Sequence, residues 1–441
     1  MKWFAGAVLL CVLAAEGAAA QKQEVTEELP PGDEPEFYAP EDSLRDYVME
    51  ALEKNPAVRE TFVRYRSALE RVPQVSTLPD PMFTFGQAIR RVETRVGPQL
   101  NTFVFSQAFP WFGKLDLRGQ VATQEALSMY QMFLASQREA IAQVKRAYYE
   151  LTYVDRALVI TREEQSLLEH YEALAQTRYA TGQGLQQAVI KIQAEITRVL
   201  NRLDILGQQR ESLVARLNTL MDRPPTDALP PTLPLSAPEV TLDLESLYEL
   251  GDQNRQELKA VEERIERSER AIELAKKSSW PDFFIGVGVV NVGLRTDPAG
   301  LMLPPPDNGK NAVSVSAGIN IPIWRDKYDA AVQEAGETLL AERSGYASVR
   351  NEMEFSIRDL VVRIETAREQ IRLFEGVLIP QAEETLRATE AAYETGQLGV
   401  LDLLDGERVL LNVRLGNARY YSDLLGALAN LERAVGTRFP G

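Results

Sequence analysis

The sequence predicts a mainly helical chain with a small β part, built as two tandem copies of one unit: a helix, a β-hairpin and a long helix hairpin. Three observations lead there. Short motifs in the first half recur in the same order some two hundred residues later. Four short segments alternate apolar and polar residues with a period of two, as strands do. Long stretches hold apolar residues at 4-3 spacing, as helices packed side by side do.

The N-terminus sets the compartment. Met1-Lys2 carries positive charge, Trp3 to Ala15 is an apolar run, and Glu16-Gly17-Ala18-Ala19-Ala20 ends in small residues. That order predicts a secretory signal peptide over residues 1–20, too short to span a bilayer as a helix. Cys11 follows Leu9-Leu10 inside the apolar core, without the small residue that precedes a lipid-anchored cysteine. Cleavage after about Ala20 leaves no cysteine, which removes disulfides, thiol catalysis and thiolate metal sites together. Residues 21–41, acidic and proline-rich, read as an extended arm. A net charge of −16 argues against nucleic acid as a partner. No later segment approaches eighteen uninterrupted apolar residues, so no transmembrane helix is expected. An exported chain of this kind is either soluble in the periplasm or a β-barrel, whose strands give a weaker hydropathy signal.

The repeat is read from three landmarks. Leu78-Pro79-Asp80 returns as Trp280-Pro281-Asp282, 202 residues on, and Phe109-Pro110 as Ile321-Pro322, 212 residues on. Tyr179-Ala180-Thr181-Gly182-Gln183 returns as Tyr393-Glu394-Thr395-Gly396-Gln397, 214 residues on. Most of the added length lies in the Pro/Gly-rich stretch Asp297 to Lys310. The first repeat is set at 42–222 and the second at 241–436, with a Pro-rich linker over 223–240 and a tail over 437–441.

Strands are expected at about 80–90, 100–109, 282–291 and 312–321. Residues 312–321 place Val313, Val315, Ala317, Ile319 and Ile321 on one face, with small or polar residues on the other. Phe103, Phe105 and Phe109 alternate similarly with Thr102, Val104 and Ser106. Lengths near 9–11 residues suit a tilted strand crossing hydrocarbon; a soluble hairpin packed on a helix gives the same alternation. Trp111, Trp280 and Trp324, with Phe112 beside Trp111, flank these strands and suit a membrane-interface belt. Prolines 79, 81, 110, 281 and 322 mark the junctions between strand and helix, because proline cannot donate to a ladder. Four strands cannot close a barrel, and lipid does not tolerate an open sheet edge. Oligomerisation follows, and three copies supply twelve strands.

The helical pattern after Pro322 runs from about Asp326 to Glu394, on the order of 100 Å at 1.5 Å per residue. Met353, Ile357, Leu360, Ile364, Ala367, Ile371, Phe374 and Leu378 form one seam; Ala140, Val144, Ala147, Leu151, Val154 and Leu158 form its counterpart. A plain antiparallel coiled coil explains such seams equally well. Pro380 is expected to kink or break its helix, and the glycine of each Tyr-x-x-Gly turn to end one.

Strand hairpins feeding long coiled-coil hairpins, twice over behind a signal peptide, resemble the TolC-like outer-membrane efflux proteins. The resemblance spans about Asp42 to Gly436. It rests on Leu78-Pro79-Asp80-Pro81, Phe109-Pro110-Trp111-Phe112-Gly113-Lys114, the two Tyr-x-x-Gly-Gln turns, and Val400-Leu401-Asp402-Leu403-Leu404-Asp405. It implies a homotrimer in the outer membrane: a twelve-stranded β-barrel continued by a periplasmic α-helical barrel. It implies as partners a periplasmic adaptor touching the helical tips (Tyr179, Gly182, Gln183, Tyr393, Gly396 and Gln397) and an inner-membrane pump of RND or ABC type. It also implies a periplasmic gate at Asp402 and Asp405, three residues apart on one helix face, with Tyr393 beside them. The alternative for the aspartates is a helix cap at Asp402 and plain surface at Asp405.

One departure stands out. Members with a polar lock place a basic residue two positions past the second-turn glycine and an acid six past the first. Here those positions are Leu398 and Ala188. His170, between Glu169 and Glu172, reads as surface. No nucleophile with a base, no acid pair in a pocket and no phosphate loop is found, so neither an enzyme, a cofactor nor a metal is expected. The other functional class that fits is a soluble periplasmic coiled-coil scaffold or adaptor.

Overall fold

The computed structural model describes residues 42–234 and 242–438, together with 39, 236, 238 and 240, all within one unit of the chain. The expected signal peptide, the arm apart from Ala39, and residues 439–441 of the tail lie outside the described residues.

The first repeat comprises α1 (Asp42–Lys54), α2 (Pro56–Ser76), β1 (Met82–Gln87), β2 (Glu93–Thr94), β3 (Gly97–Phe109), α3 (Lys114–Ala180) and α4 (Gln186–Leu220). The second comprises α5 (Leu244–Asn254), α6 (Gln256–Ser278), β4 (Phe283–Val292), α7 (Pro298–Met302), β5 (Ala312–Ile319), α8 (Arg325–Leu373), α9 (Ile379–Glu394) and α10 (Val400–Val435). The ends of β1 and β5 follow from proline chemistry. Pro79 and Pro81 bar an earlier start, and Asn320 leaves the ladder to bond the Asp282 carbonyl (3.1 Å) just before Pro322.

In each repeat one long helix runs beside two shorter ones joined end to end. The 67 residues of α3, about 100 Å of helix, pack against both α2 and α4. Asn55 makes the joint. Its Oδ1 caps α2 by accepting from the Ala57 and Val58 amides (2.9 and 3.3 Å), while its Nδ2 donates to the last carbonyl of α4, at Leu220 (2.8 Å). At the matching joint, Gly436 ends α10 with φ +79°, and the Asn254 carbonyl lies 2.5 Å from where a Cβ would stand. Only glycine fits there. Gln256, the first residue of α6, donates to the Gly436 carbonyl at 3.3 Å.

Pro380 neither breaks nor interrupts its helix. Five residues of π-helix, Phe374–Leu378, precede it, and Ile379 donates to Phe374, five residues back. The wider turn relieves the clash a proline ring makes with the preceding turn, so α8 and α9 continue as one path. The seam residues Met353, Ile357, Ile364, Ala367 and Ile371 are buried, joined by Val361, with Leu360, Phe374 and Leu378 at its margin. All six first-repeat seam residues are buried.

The strands form one antiparallel sheet in the order β1-β3-β4-β5, with β2 extending the β3 hairpin. The central β3–β4 pairing joins the two repeats, and β1 and β5 are its edges. Register sets the faces. Phe83, Phe105, Val287 and Val315 stand in one cross-strand row, and Phe85, Phe103, Val289 and Val313 in the next row on the same face. The row between them is Thr84-Val104-Gly288-Ser314, and the row beyond Phe83 is Met82-Ser106-Gly286-Ser316. One face is therefore apolar and the other mostly small or polar, and the apolar face has no cover: Val315 is 76% exposed.

The segment between the repeats is strapped to the helices. Asp155 on α3 accepts from the Thr232 amide (2.8 Å) and pairs with Arg210 of α4 (2.7 Å), while Arg368 of α8 donates to the Val240 carbonyl (2.8 Å). Arg223 forms an ion pair with Glu50 that holds the Glu50 carboxyl below its ordinary range.

Candidate functional site

The two helix-reversing turns share one geometry because they share one sequence. Gln183 donates to the Arg178 carbonyl (2.9 Å) and Gln397 to the Ala392 carbonyl (2.8 Å), while Gly182 and Gly396 adopt φ +73° and +79°. This is the glycine-ended helix stop expected of Tyr-x-x-Gly-Gln. The turns lie a full helix length from the sheet.

Their tyrosines differ. Tyr179 is 49% exposed, whereas Tyr393 is only 6% exposed, packed with Leu386, Leu403 and Leu404. Arg178 crosses from the first turn to the second. Its guanidinium lies 5.1 Å from the centre of the Tyr393 ring and donates to the Tyr393 carbonyl. Sequence reasoning passed over Arg178, which stands one residue before Tyr179.

Asp402 and Asp405 lie on the first turns of α10, both exposed. Asp402 accepts from the Gly399 amide at 3.1 Å, tying down the helix start. Asp405 stands 3.4 Å from Arg408, whose stronger partner is Glu195 on α4, met through two nitrogens at 2.6 and 3.1 Å. That pairing holds the Glu195 carboxyl below its ordinary range against the upward push of burial. The aspartates thus stay open to whatever faces α10. Leu398 is exposed beside them and Ala188 packs on the tip core, so no polar link joins these two.

Behind the aspartates lies a cluster the sequence reading missed. Glu164 of α3 and Glu407 of α10 are buried facing one another, flanked by Glu195, Arg198 and Arg202 of α4. Their signal was present: Thr161, Glu164, Leu168, Tyr171 and Ala175 keep the 3-4 spacing of the buried seam, as do Val400, Leu403, Glu407 and Leu410. A glutamate at such a position has to be buried.

At the sheet end, the rings expected in a belt gather in part. Trp111 stacks on Phe283 (5.2 Å) and meets Trp280 (5.0 Å), and Phe112 touches both Trp111 and Phe283. Trp324 stands exposed at the start of α8. Beneath the cluster the buried Lys114 ammonium donates to Asp282 and to the Trp280 carbonyl, both at 2.8 Å, and Asp282 also accepts from the Trp111 amide. Lysine in Phe-Gly-Lys and aspartate in Trp-Pro-Asp thereby fasten one repeat's junction to the other's.

Residues 247–437 match the family model described as outer membrane efflux protein. Outer membrane protein TolC of Vibrio cholerae serotype O1 is 23% identical over 424 residues, covering 90% of this chain and 91% of that protein. The solved structure of the outer membrane protein VceC from Vibrio cholerae superposes with a TM-score of 0.74 at 18% identity, over 90% of this chain and 97% of that one. The open-state MtrE outer membrane channel of Neisseria gonorrhoeae superposes with a TM-score of 0.72 at 20% identity, over 89% of each chain. Across the second repeat the chain thus matches the outer membrane efflux protein family model, and across both repeats it shares the fold of solved TolC-like channels.

Proposed function

We propose that three copies of this chain close through the edges β1 and β5 into a twelve-stranded barrel, forming the outer-membrane duct of a tripartite exporter. The observation that carries this reading is the sheet: one apolar face left exposed and two edges, β1 and β5, that pair with no further strand among the described residues. Lipid suits the face, and neighbouring copies suit the edges. In this reading the mature chain begins after residue 20, and repeats 42–222 and 241–436 contribute equivalent sectors of barrel and helix. The rings of Trp111, Phe112, Trp280 and Trp324 sit at the inner membrane interface. The turns at Tyr179, Gly182 and Gln183 and at Tyr393, Gly396 and Gln397 receive a periplasmic adaptor. An inner-membrane pump of RND or ABC type supplies the energy. An uncovered apolar sheet face disfavours the soluble scaffold.

Asp402 and Asp405, carried by three copies, would put six carboxylates around the axis at the periplasmic mouth. Mutual repulsion there favours cations over anions. The Asp402→Asn/Asp405→Asn variant is expected to lower the cation-to-anion permeability ratio and raise closed-state conductance in planar bilayers. Unchanged selectivity and conductance would remove the gate assignment. The assembly itself is tested by electron microscopy of protein extracted from outer membranes in detergent. A three-fold cylinder supports the duct; a monomer that needs no detergent overturns it.

A further inference from the structure

The buried glutamate pair beside the proposed gate is built to bind a proton. Glu164 on α3 and Glu407 on α10 are 5% and 3% exposed, and the Oε2 atom of each has no hydrogen-bond partner. Both line one cavity of about 70 Å³, whose other walls are Ile160, Leu167, Leu386, Leu410 and Leu411 with Glu163 and Arg414. Two carboxylates are acceptors only, so neither can satisfy the other unless one of them carries a proton.

The surrounding charges do not neutralise the pair. From α4, Arg202 approaches Glu164 only to 3.7 Å, while Arg198 is turned to Glu195. From α10, Arg408 is held by Glu195 and Asp405, and Arg414 pairs with Glu163 of α3 and Glu383 of α9. Glu390 of α9 is bonded by the Tyr171 hydroxyl of α3, and burial, then the Glu390 bond and charge, then the Glu407 charge push that phenol up. Glu407 has no ion pair among the described residues. Burial raises both carboxyls far above the usual range, Glu164 to about 7 and Glu407 to about 8, and for Glu407 the neighbouring Glu164 adds to the rise.

We propose that Glu164 and Glu407 share a proton that latches the gate-bearing helix α10 to α3, and that losing this proton releases the start of α10 and opens the periplasmic end. The proposal rests on the duct reading for its consequence, not for its chemistry. A second polar cavity of about 330 Å³, lined by Glu164, Glu195, Arg198, Arg202, Arg408 and Asn412, adjoins the pair and supplies a path for proton exchange. Five residues separate Glu407 from Asp402 on the same helix, so a shift there is carried directly to the gate. The direction follows from linkage. The folded carboxyls keep their protons to higher pH than unfolded ones, so this packing is favoured in acid. That advantage is lost as pH rises through about 7 to 8.

The test uses the mature protein in detergent and in planar bilayers. Infrared titration should show a protonated-carboxyl C=O band that falls to half between about pH 7 and 8. The Glu164→Gln/Glu407→Gln variant, whose amides keep the shape and hydrogen bond of the protonated pair, should lack it. Wild-type conductance should rise several-fold through the same pH window, and the variant should stay low and flat. A band that is absent above about pH 6, or that survives the double substitution, overturns the shared proton. A titrating band with conductance indifferent to pH overturns the latch. A titrating band in a protein that forms no channel at any pH removes the duct reading, and with it the gate the latch would act on.

Discussion

Replacing Glu432 with alanine is expected to destabilise the helical part by about 3–5 kcal/mol, because it takes the paired carboxylate from a buried ammonium. Lys145 lies in the middle of α3 and is 1% exposed; its ion-pair partner Glu432 comes from α10 of the other repeat. Burial lowers the Lys145 pKa, and the Glu432 carboxylate opposes that fall. Tyr148, Tyr149, Leu428 and Leu431 on the same two helices are buried in the main core. Lys145→Met with Glu432→Leu removes both charges together and should be neutral or more stable than the native pair. Denaturant unfolding followed by helical circular dichroism separates the cases. Equal losses in the single and double variants would show that packing, not charge, sets the cost.

A second large effect is expected at the sheet. Val315 stands at the centre of β5, in the row Phe83-Phe105-Val287-Val315 of the apolar face. Val315→Arg places a guanidinium in hydrocarbon, at about 2–4 kcal/mol per copy near the bilayer midplane. In the proposed barrel of three copies, membrane assembly should fail outright. Ser314→Arg, one residue away on the opposite face, should assemble and alter conduction instead. The readout is the heat-resistant oligomer recovered from outer membranes. Loss of oligomer in both variants, or in neither, would mean that the two faces do not divide between lipid and lumen.

Much of this architecture is legible in the chain because its signals are local and periodic. Alternation at 312–321 reports a two-faced strand wherever that strand ends up, and 4-3 spacing reports a buried stripe before its partner is known. The Tyr-x-x-Gly-Gln turns could be placed to the residue, since a left-handed glycine at a helix end is a backbone property. At Pro380 a π-turn stands in place of a break, for a reason a single helix does not reveal. Its neighbours keep the helical path through tertiary packing, and a π-turn accommodates the ring at less cost than a break.

The candidate site was legible only in part. Asp402 and Asp405 were singled out by motif position; Asp402 accepts from the Gly399 amide at the start of α10, and both are exposed, as the alternative of cap and surface has it. Arg178, Glu195, Arg408 and the pair Glu164 and Glu407 were not found. Each acts across helices far apart in sequence, and a charge at a seam position looks like a surface residue until the opposing helix is in place.

By itself, then, the sequence determined the doubled plan, the strand faces, the helix lengths and the reversal points. Each of these depends on interactions within a few residues or on exact repetition. The tertiary structure alone decided which strands are neighbours, that α4 meets α2 and α10 meets α6 end to end, and which charges lie buried against which. Those outcomes depend on groups more than a hundred residues apart, as in Asn55 with Leu220, Lys145 with Glu432 and Glu164 with Glu407. Their energies exist only once folding has excluded water between them.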